Sequence, residues 1–416
     1  MANRMLERLR DKDKKGLFNA SQVSISYPTG FLPFDYLNGY EVKVMDRNEH
    51  VIDTYATTGI RGGTFVTVIG KSGVAKTTWV IQTAYNIVKD FDDDAFVMIF
   101  DLEQALNYTR IKNVTGASQQ DLDDKIVLRQ EKNYIEDIFD TIIAIANDKE
   151  ANKKEYTYDT KCLDEFGNPI IAYVPTVIII DSIPTLSCRE SDDEMKGGTD
   201  AARMAKAIKQ FYSKLMPIVK TYNITVFTIN HINAKIEINA FTKTQPQVMY
   251  LKQDESLPGG VAPIYYADTL VKFVSSTKFK DEDDGFDGFM VRAELIKSRS
   301  NKANKSCNLI YNQENGFDPI MTLYQFALDN DLIDGRNPYR YFKSNKDVKF
   351  DSRKFRKEFY TNEELQLTVK DATQPLLTSL LSAKRDDDEN KDTWYLCRFL
   401  IMRGINYKWR IKKIIF

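Results

Sequence analysis

Short apolar runs alternate with longer amphipathic stretches through the first 230 residues of the chain. The apolar runs predict β-strands at residues 65–69, 95–100, 126–130, 176–180 and 225–230. The amphipathic stretches repeat apolar residues three or four positions apart and predict helices at 78–88, 134–147 and 201–221. Strands that alternate with helices indicate an α/β fold built on a parallel, doubly wound sheet.

Other segments are expected to extend this sheet or to lie beside it. Residues 41–58 alternate apolar and polar positions, which predicts a β-hairpin insertion, and the polar segment 152–169 is expected to be a loop or a small hairpin. Antiparallel strands are predicted at 269–275 and 289–297, joined by an acidic turn, and a further strand at 306–311.

The last part of the chain has a different pattern. From about residue 316 it becomes helical, with loops expected at 334–338 and 384–392. A chain of 416 residues can hold a large core and an accessory domain. The expected parts are an N-terminal segment that contacts another subunit (1–22), a core (23–330) and a small C-terminal α+β accessory domain (331–416).

Composition narrows the classes of function. The formal net charge of −1 does not attract nucleic acid, so any DNA contact must come from local basic loops. The four cysteines are scattered, which indicates free thiols in a reducing compartment and no zinc site, and there are only two histidines. No apolar run reaches transmembrane length, so we expect a cytoplasmic protein with no membrane partner.

Residues 66–78 read V-T-V-I-G-K-S-G-V-A-K-T-T, which is the order of a phosphate-binding P-loop: strand, turn and helix start. The backbone N–H groups of such a loop point at phosphates. Lys76 would reach the β- and γ-phosphate oxygens, and the Thr77 hydroxyl would bind Mg²⁺. The nucleotide-binding candidates are Gly70, Lys71, Ser72, Gly73, Val74, Ala75, Lys76, Thr77 and Thr78.

Ala75 stands where the P-loop pattern has its second glycine. If this position requires a positive φ, alanine costs about 1 kcal/mol or more. Either the loop is right-handed at Ala75, or the motif is a coincidental Gly/Ser turn between a strand and a helix.

Polar residues follow three other predicted strands, at the edge where parallel sheets bind ligands. Asp181 fits a Walker B acid that holds Mg²⁺, Glu103 could deprotonate the attacking water, and Asn230 or His231 could sense the γ-phosphate. Each also has a simpler interpretation. Asp181 could cap a strand end, Glu103 could be favoured by a helix N-terminus, and His231 could fill a polar strand end.

Six segments occur in the order seen in RecA-type recombinases, which the chain resembles from about residue 23 to 334. They read T-G-x4-D-x-L-x-G (29–39), G-K-S-G-V-A-K-T-T, F-D-L-E-Q-A-L, V-I-I-I-D-S-I-P-T-L, T-I-N-H-I and L-P-G-G. The phage UvsX-like branch is the most similar, because it has a comparable I-N-H strand end (229–231) and a later run like I-K-S-R (296–299). Proteins of this branch also lack the second P-loop glycine.

The resemblance implies a RecA-like P-loop ATPase core whose mostly parallel sheet is extended by antiparallel strands. It also implies a DNA-dependent ATP hydrolase with ATP and Mg²⁺ as cofactors. Such a protein forms a helical filament on single-stranded DNA and pairs it with double-stranded DNA in recombination and repair. Further expected partners are a single-strand binding protein and a loader, and a phage origin would place the protein in the host cytoplasm.

The resemblance also assigns roles to individual residues. Glu103 corresponds to the catalytic glutamate, Asp181 to the Walker B acid, and His231 to the residue that signals the γ-phosphate state to DNA. Lys297 and Arg299 correspond to a pair of cations that reach the ATP of the neighbouring subunit, where they would stabilise transition-state charge.

The two DNA-binding loops of the family correspond to residues 188–200 and 233–258. Candidates in the first are Arg189, Lys196 and the backbone amides of Gly197 and Gly198, although acidic residues outnumber cations there. Candidates in the second are Lys235, Lys243 and Lys252 for phosphates and Phe241 and Tyr250 for bases. The alternative for the second loop is a solvent-exposed surface loop that does not bind DNA.

Two other functions stay open. A hexameric replicative DNA helicase of the same ATPase superfamily would keep the fold but form closed rings and unwind forks. A non-enzymatic mediator would bind recombination partners with a vestigial ATP site, which the intact Lys76, Thr77, Glu103 and Asp181 disfavour.

Overall fold

The computed structural model describes residues 25–46, 48, 50–91, 94–131, 134–189, 200–234, 251, 255–281 and 286–381. Several predicted features lie outside these residues: the N-terminal segment 1–22, the loop at 384–392, Lys196, Gly197, Gly198, Lys235, Phe241, Lys243, Tyr250 and Lys252.

Short elements open the described chain. They are β1 (Ser26–Tyr27), α1 (Leu32–Leu37), β2 (Tyr40–Met45), β3 (Val51–Thr57) and β4 (Ile60–Arg61). Strands β2 and β3 pair antiparallel, which confirms the predicted hairpin. Just before α1, the backbone N–H and the hydroxyl of Thr29 both donate to the buried carboxylate of Asp35, at 2.8 and 2.6 Å. These bonds fix the turn that the T-G-x4-D segment forms.

Strands and helices alternate in the next part, as the apolar pattern predicted. The elements are β5 (Phe65–Gly70), α2 (Lys76–Val88), β6 (Phe96–Asp101), α3 (Tyr108–Thr115), α4 (Gln119–Lys125), β7 (Ile126–Arg129), α5 (Ile135–Ala151), α6 (Lys153–Tyr156), β8 (Thr157–Leu163), β9 (Pro169–Tyr173), β10 (Thr176–Asp181), α7 (Asp200–Thr221) and β11 (Ile224–His231). The polar segment after α5 is the small hairpin β8–β9, one of the two alternatives expected there.

Longer strands and a second group of helices complete the described chain. The elements are β12 (Asn233–Ala234), β13 (Glu255–Ser256), α8 (Ala262–Tyr266), β14 (Thr269–Asp281), β15 (Phe286–Ser298), β16 (Lys305–Asn312), β17 (Gly316–Phe317), α9 (Pro319–Asp329), β18 (Ile333–Arg336), β19 (Tyr339–Phe342), β20 (Asn345–Asp351), α10 (Phe355–Thr361) and α11 (Glu363–Leu380).

Strands β18, β19 and β20 form an antiparallel sheet. The helical pattern expected from about residue 316, and the loop expected at 334–338, are therefore wrong in this segment. The strands are short, and in β20 only Val348 and Phe350 alternate with exposed charged residues before the strand ends. Such a short alternation is a weak sequence signal, and pairing with neighbouring strands decides the structure.

The central sheet contains nine strands of the described chain, in the order β17-β16-β15-β14-β5-β11-β10-β6-β7. The strands from β14 to β7 run parallel, and β15, β16 and β17 extend the sheet antiparallel. Strands β5 and β10 are buried along their whole length, which explains their mostly apolar sequences. This is the mostly parallel α/β sheet with an antiparallel extension that the sequence predicted, and it is compatible with a RecA-like core.

Helices cover both faces of this sheet. On one face Trp79 of α2 is fully buried and packs edge-on against Phe34 and Phe273. On the other face α5 and α7 pack over β10 and β11. A further apolar cluster joins α9, β20, α10 and α11 to Ile310 of β16, so it contains residues from both sides of position 330.

Two findings on the cysteines and on membrane-spanning helices apply to the described residues only. Cys162, Cys188 and Cys307 form no disulfide. No helix in the described ranges is long and apolar enough to cross a membrane.

Candidate functional site

The carboxyl ends of four neighbouring parallel strands meet at one edge of the sheet. Asp181 of β10 is in register with Asp101 of β6, and His231 of β11 is in register with Gly70 of β5. Glu103 lies two residues beyond the end of β6. The fold therefore brings together the strand-end residues that the sequence singled out, at the edge where parallel sheets bind ligands.

The loop from β5 to α2 has a left-handed backbone at two positions. Gly73 has a φ of 79°, and Ala75 has a φ of 60° and a ψ of 27°. Of the two alternatives for Ala75, the right-handed loop is thus wrong, and the loop keeps the conformation of a glycine while carrying a Cβ. This strain costs about 1–2 kcal/mol. At Gly70, a Cβ would lie only 2.7 Å from the carbonyl oxygen of Phe273 on β14, so the loop must begin with glycine.

Lys76, the first residue of α2, is buried beneath this loop. Its ammonium group donates to the carbonyl oxygens of Gly70 at 3.0 Å and Lys71 at 2.8 Å, and it lies 3.3 Å from Nδ1 of His231. An ammonium has three hydrogens, so all of them have acceptors. Burial lowers the pKa of Lys76 to about 8, against the opposing effect of the Asp181 and Glu103 charges. A phosphate bound by Lys76 must therefore replace one of these acceptors.

His231 connects Lys76 to Glu103. Its Nε2 lies 3.1 Å from Oε1 of Glu103, and a carboxylate can only accept a hydrogen bond. The partners therefore assign the ring proton to Nε2 and leave Nδ1 as the acceptor for Lys76. The imidazole of His231 thus connects Lys76, which could bind a phosphate, to Glu103, which could act as a base.

Thr77 and Asp181 form the second half of the site. The Thr77 hydroxyl donates to Oδ2 of Asp181 at 2.7 Å. Burial raises the pKa of Asp181 to about 6, and although the Thr77 bond lowers it, the negative charges of Glu103 and Asp101 raise it further. A desolvated carboxylate beside a hydroxyl is a suitable partner for a hard cation.

Asp101 places a further carboxylate near Asp181, which also favours a bound cation. Its Oδ2 accepts from the backbone N–H of Leu106 at 2.8 Å and from the side chain of Gln130 at 2.7 Å. Its Oδ1 is buried without a hydrogen-bond partner among the described residues. The described residues contain no group of three or more His, Cys, Asp or Glu that could hold a metal. Thr77 and Asp181 nevertheless fit Mg²⁺, which is usually held by one or two protein oxygens together with phosphate oxygens and water.

Lys297 and Arg299 lie away from this loop within the chain. Lys297 pairs in register with Leu270, which pairs with Thr67, three residues before Gly70. The offset is about 10 Å along the strands and about 10 Å across them. The ammonium of Lys297 donates to the carbonyl oxygens of Ile264 at 3.1 Å and Tyr265 at 2.7 Å, and burial lowers its pKa.

Arg189 is the only DNA-binding candidate among the described residues. Its guanidinium pairs with Asp137, and its backbone N–H lies 3.3 Å from a carboxylate oxygen of Glu136, both in the first turn of α5. Its side chain is more than half exposed. Contact with a phosphate would have to compete with this ion pair.

Two residues of the site were missed from the sequence. Ser182 donates a hydrogen bond to Glu103, and the negative charge of Asp101 raises the pKa of Asp181. The only signal for Ser182 was its position directly after Asp181. The only signal for Asp101 was that it is an acidic residue at the end of an apolar run.

Neither protein-family models nor curated protein sequences match this chain. The assignment of a function therefore rests on the site geometry and on the order of the sequence motifs.

Proposed function

We propose that the chain is a DNA-dependent ATPase that polymerises on single-stranded DNA and catalyses homologous pairing and strand exchange. The observation that carries the proposal is the arrangement at the carboxyl edge of the sheet. There Lys76 opens α2, Thr77 is bonded to Asp181, and His231 lies between Lys76 and Glu103.

Each of these residues has a distinct task in ATP hydrolysis. Lys76 and the backbone N–H groups of its loop would bind phosphate oxygens, and Thr77 with Asp181 would hold Mg²⁺. The bound ion would supply charge neutralisation at the phosphate oxygens. Glu103 accepts the proton of the attacking water, and its partly exposed side chain can reach such a water.

The route from this site to DNA runs along β11. His231 is the last residue of β11, and β12 follows at once and pairs with β13 across the segment 235–254. Glu255 of β13 forms a buried ion pair with Lys272 of β14, at 3.0 Å. A nucleotide that takes the place of His231 at Lys76 would therefore act on the base of the proposed DNA-binding loop, which supports an ATP-dependent switch.

The position of Lys297 and Arg299 supports assembly. Two cations at a distance from their own loop would serve a neighbouring copy, where Lys297 would exchange its carbonyl partners for phosphate oxygens. A filament would supply them in trans as arginine fingers are supplied. A closed hexameric ring would use the same chemistry, so the form of the assembly separates the recombinase from the helicase.

The test is ATP turnover with and without single-stranded DNA. The wild type should be stimulated by DNA, and Lys76→Ala should be inactive under both conditions. Lys112→Ala, which removes an exposed cation from α3, should behave as the wild type. Turnover that DNA does not change would contradict the proposal. Electron microscopy with a non-hydrolysable ATP analogue should show open filaments on DNA, whereas closed hexamers that unwind forks would favour the helicase.

A further inference from the structure

The hydroxyl of Ser182 is directed at the candidate general base. Ser182 is fully buried, directly after β10, and its Oγ donates to Oε1 of Glu103 at 2.6 Å. His231 Nε2 lies 3.1 Å from the same oxygen. No hydrogen bond from a described residue reaches Oε2 of Glu103. The two protein donors thus occupy one oxygen of the carboxylate and leave the other open.

We infer that Ser182 is a positioning residue for Glu103, which fixes Oε1 so that Oε2 is the oxygen presented to the attacking water. The inference rests on the proposed ATPase function. It assigns to Ser182 a role in hydrolysis that differs from the binding roles of its neighbours Thr77 and Asp181.

The backbone around Ser182 is rigid enough for this task. The backbone N–H of Ser182 lies 3.3 Å from the hydroxyl oxygen of Thr185, and that hydroxyl donates back to the carbonyl of Ser182 at 2.7 Å. The N–H of Leu102 donates to the carbonyl of Asp181 at 2.7 Å, which ties the end of β10 to the segment that carries Glu103. The donor and the carboxylate are therefore held by the same pair of strand ends.

Glu103 needs such a partner. It lies in a turn after β6, and its side chain is about one-third exposed. A glutamate there has several rotatable bonds and few packing contacts to select one orientation. A buried hydroxyl selects one, and a general base works well only when its oxygen is held within hydrogen-bonding reach of the water.

The chemistry leaves the two oxygens with different tasks. The attacking water gives its proton to Oε2, while Oε1 keeps its bonds to Ser182 and His231. These bonds disperse negative charge on the resting carboxylate and hold its plane. Loss of the Ser182 bond should therefore lower the rate of the chemical step without weakening ATP binding.

Ser182→Ala tests this inference, with Thr176→Val as the matched control. Thr176 lies at the other end of β10 and is equally buried, and no described residue forms a hydrogen bond with its hydroxyl. Ser182→Ala should lower kcat roughly 10- to 100-fold and leave KM for ATP and the affinity for a fluorescent ATP analogue unchanged. Thr176→Val should match the wild type, and Ser182→Thr, which keeps a hydroxyl, should recover most of the rate.

A second background separates this inference from the proposed function. In Glu103→Gln, the further change Ser182→Ala should have no additional effect, because Ser182 acts through the carboxylate. If Glu103→Gln is inactive but Ser182→Ala turns over ATP like Thr176→Val, the positioning role is wrong and the ATPase proposal survives. If Ser182→Ala raises KM as strongly as it lowers kcat, the hydroxyl has a general structural role and the inference is also wrong. If Glu103→Gln turns over ATP like the wild type, the role of Glu103 itself is wrong.

Discussion

The backbone strain at Ala75 gives a quantitative prediction for Ala75→Gly. Ala75 is left-handed, with a φ of 60°. Removal of its Cβ should relieve about 1–2 kcal/mol of steric strain in the folded protein. The added freedom of glycine in the unfolded chain should take back about 0.4–1 kcal/mol. The free energy of unfolding should therefore rise by up to about 1.6 kcal/mol, and by about 0.8 kcal/mol at the middle of both ranges.

The same loop offers a control of opposite sign. Gly73 has a φ of 79°, and a Cβ built there meets no atom within 4 Å. Gly73→Ala therefore adds the backbone strain alone, without a clash, and should lower the free energy of unfolding by about 0.5–1 kcal/mol. Urea unfolding of the wild type and both variants, followed by circular dichroism at constant pH and without nucleotide, measures the two changes.

The two variants should thus move the urea midpoint in opposite directions with unchanged slopes. A loss of stability in Ala75→Gly would refute the strain argument, because it would show that the loop prefers a side chain at this position. A neutral Gly73→Ala together with a neutral Ala75→Gly would also refute it, since the loop would then adapt its backbone at no cost.

Two further predictions concern the charges of the site. Burial raises the pKa of Asp181 from 3.8 to about 6, so the folded state binds this proton more tightly than the unfolded state and stability falls as pH rises from about 4 to 6. Asp181→Asn, which keeps an acceptor for Thr77, should therefore stabilise the ligand-free protein by up to about 3 kcal/mol at pH 7 and by little below pH 4; a gain that is the same at both pH values in urea unfolding would contradict this. Lys297→Ala and Lys76→Ala should each be inactive, but a mixture of the two should regain DNA-stimulated ATP turnover, since one supplies an intact loop and the other the intact cations; a mixture that stays inactive would argue against catalysis shared between subunits.

The hydrophobic pattern predicted the parallel core well. Strands β5 and β10 are buried on both faces, so their sequences are mostly apolar, and β10 ends at the polar residue Asp181. The position of Asp181 and His231 at strand ends followed from that pattern, because parallel strands present their carboxyl ends to one edge. The pattern failed for β18–β20, whose short strands gain their stability from pairing and from a core that includes Phe342 and Phe350.

Contacts between residues far apart in the chain could not be predicted from the sequence. The sequence marked Lys76, Glu103 and His231, but not that the imidazole lies between the other two. It left the backbone at Ala75 open, and the structure placed it in the left-handed region. It also gave no reason to connect Ser182 with Glu103, since the two are separated by 79 positions.

The sequence by itself determined the order of the main strands and helices in the first 230 residues, the glycine-containing loop before α2 and the polar residues that end the strands. These features depend on local burial and backbone preference, and both follow from the residues of each segment alone. Only the tertiary structure decided which acceptors occupy the Lys76 ammonium, which oxygen of Glu103 is held, and that Lys297 lies away from its own loop. Those facts depend on the order and register of strands in the sheet, where residues far apart in the chain become neighbours.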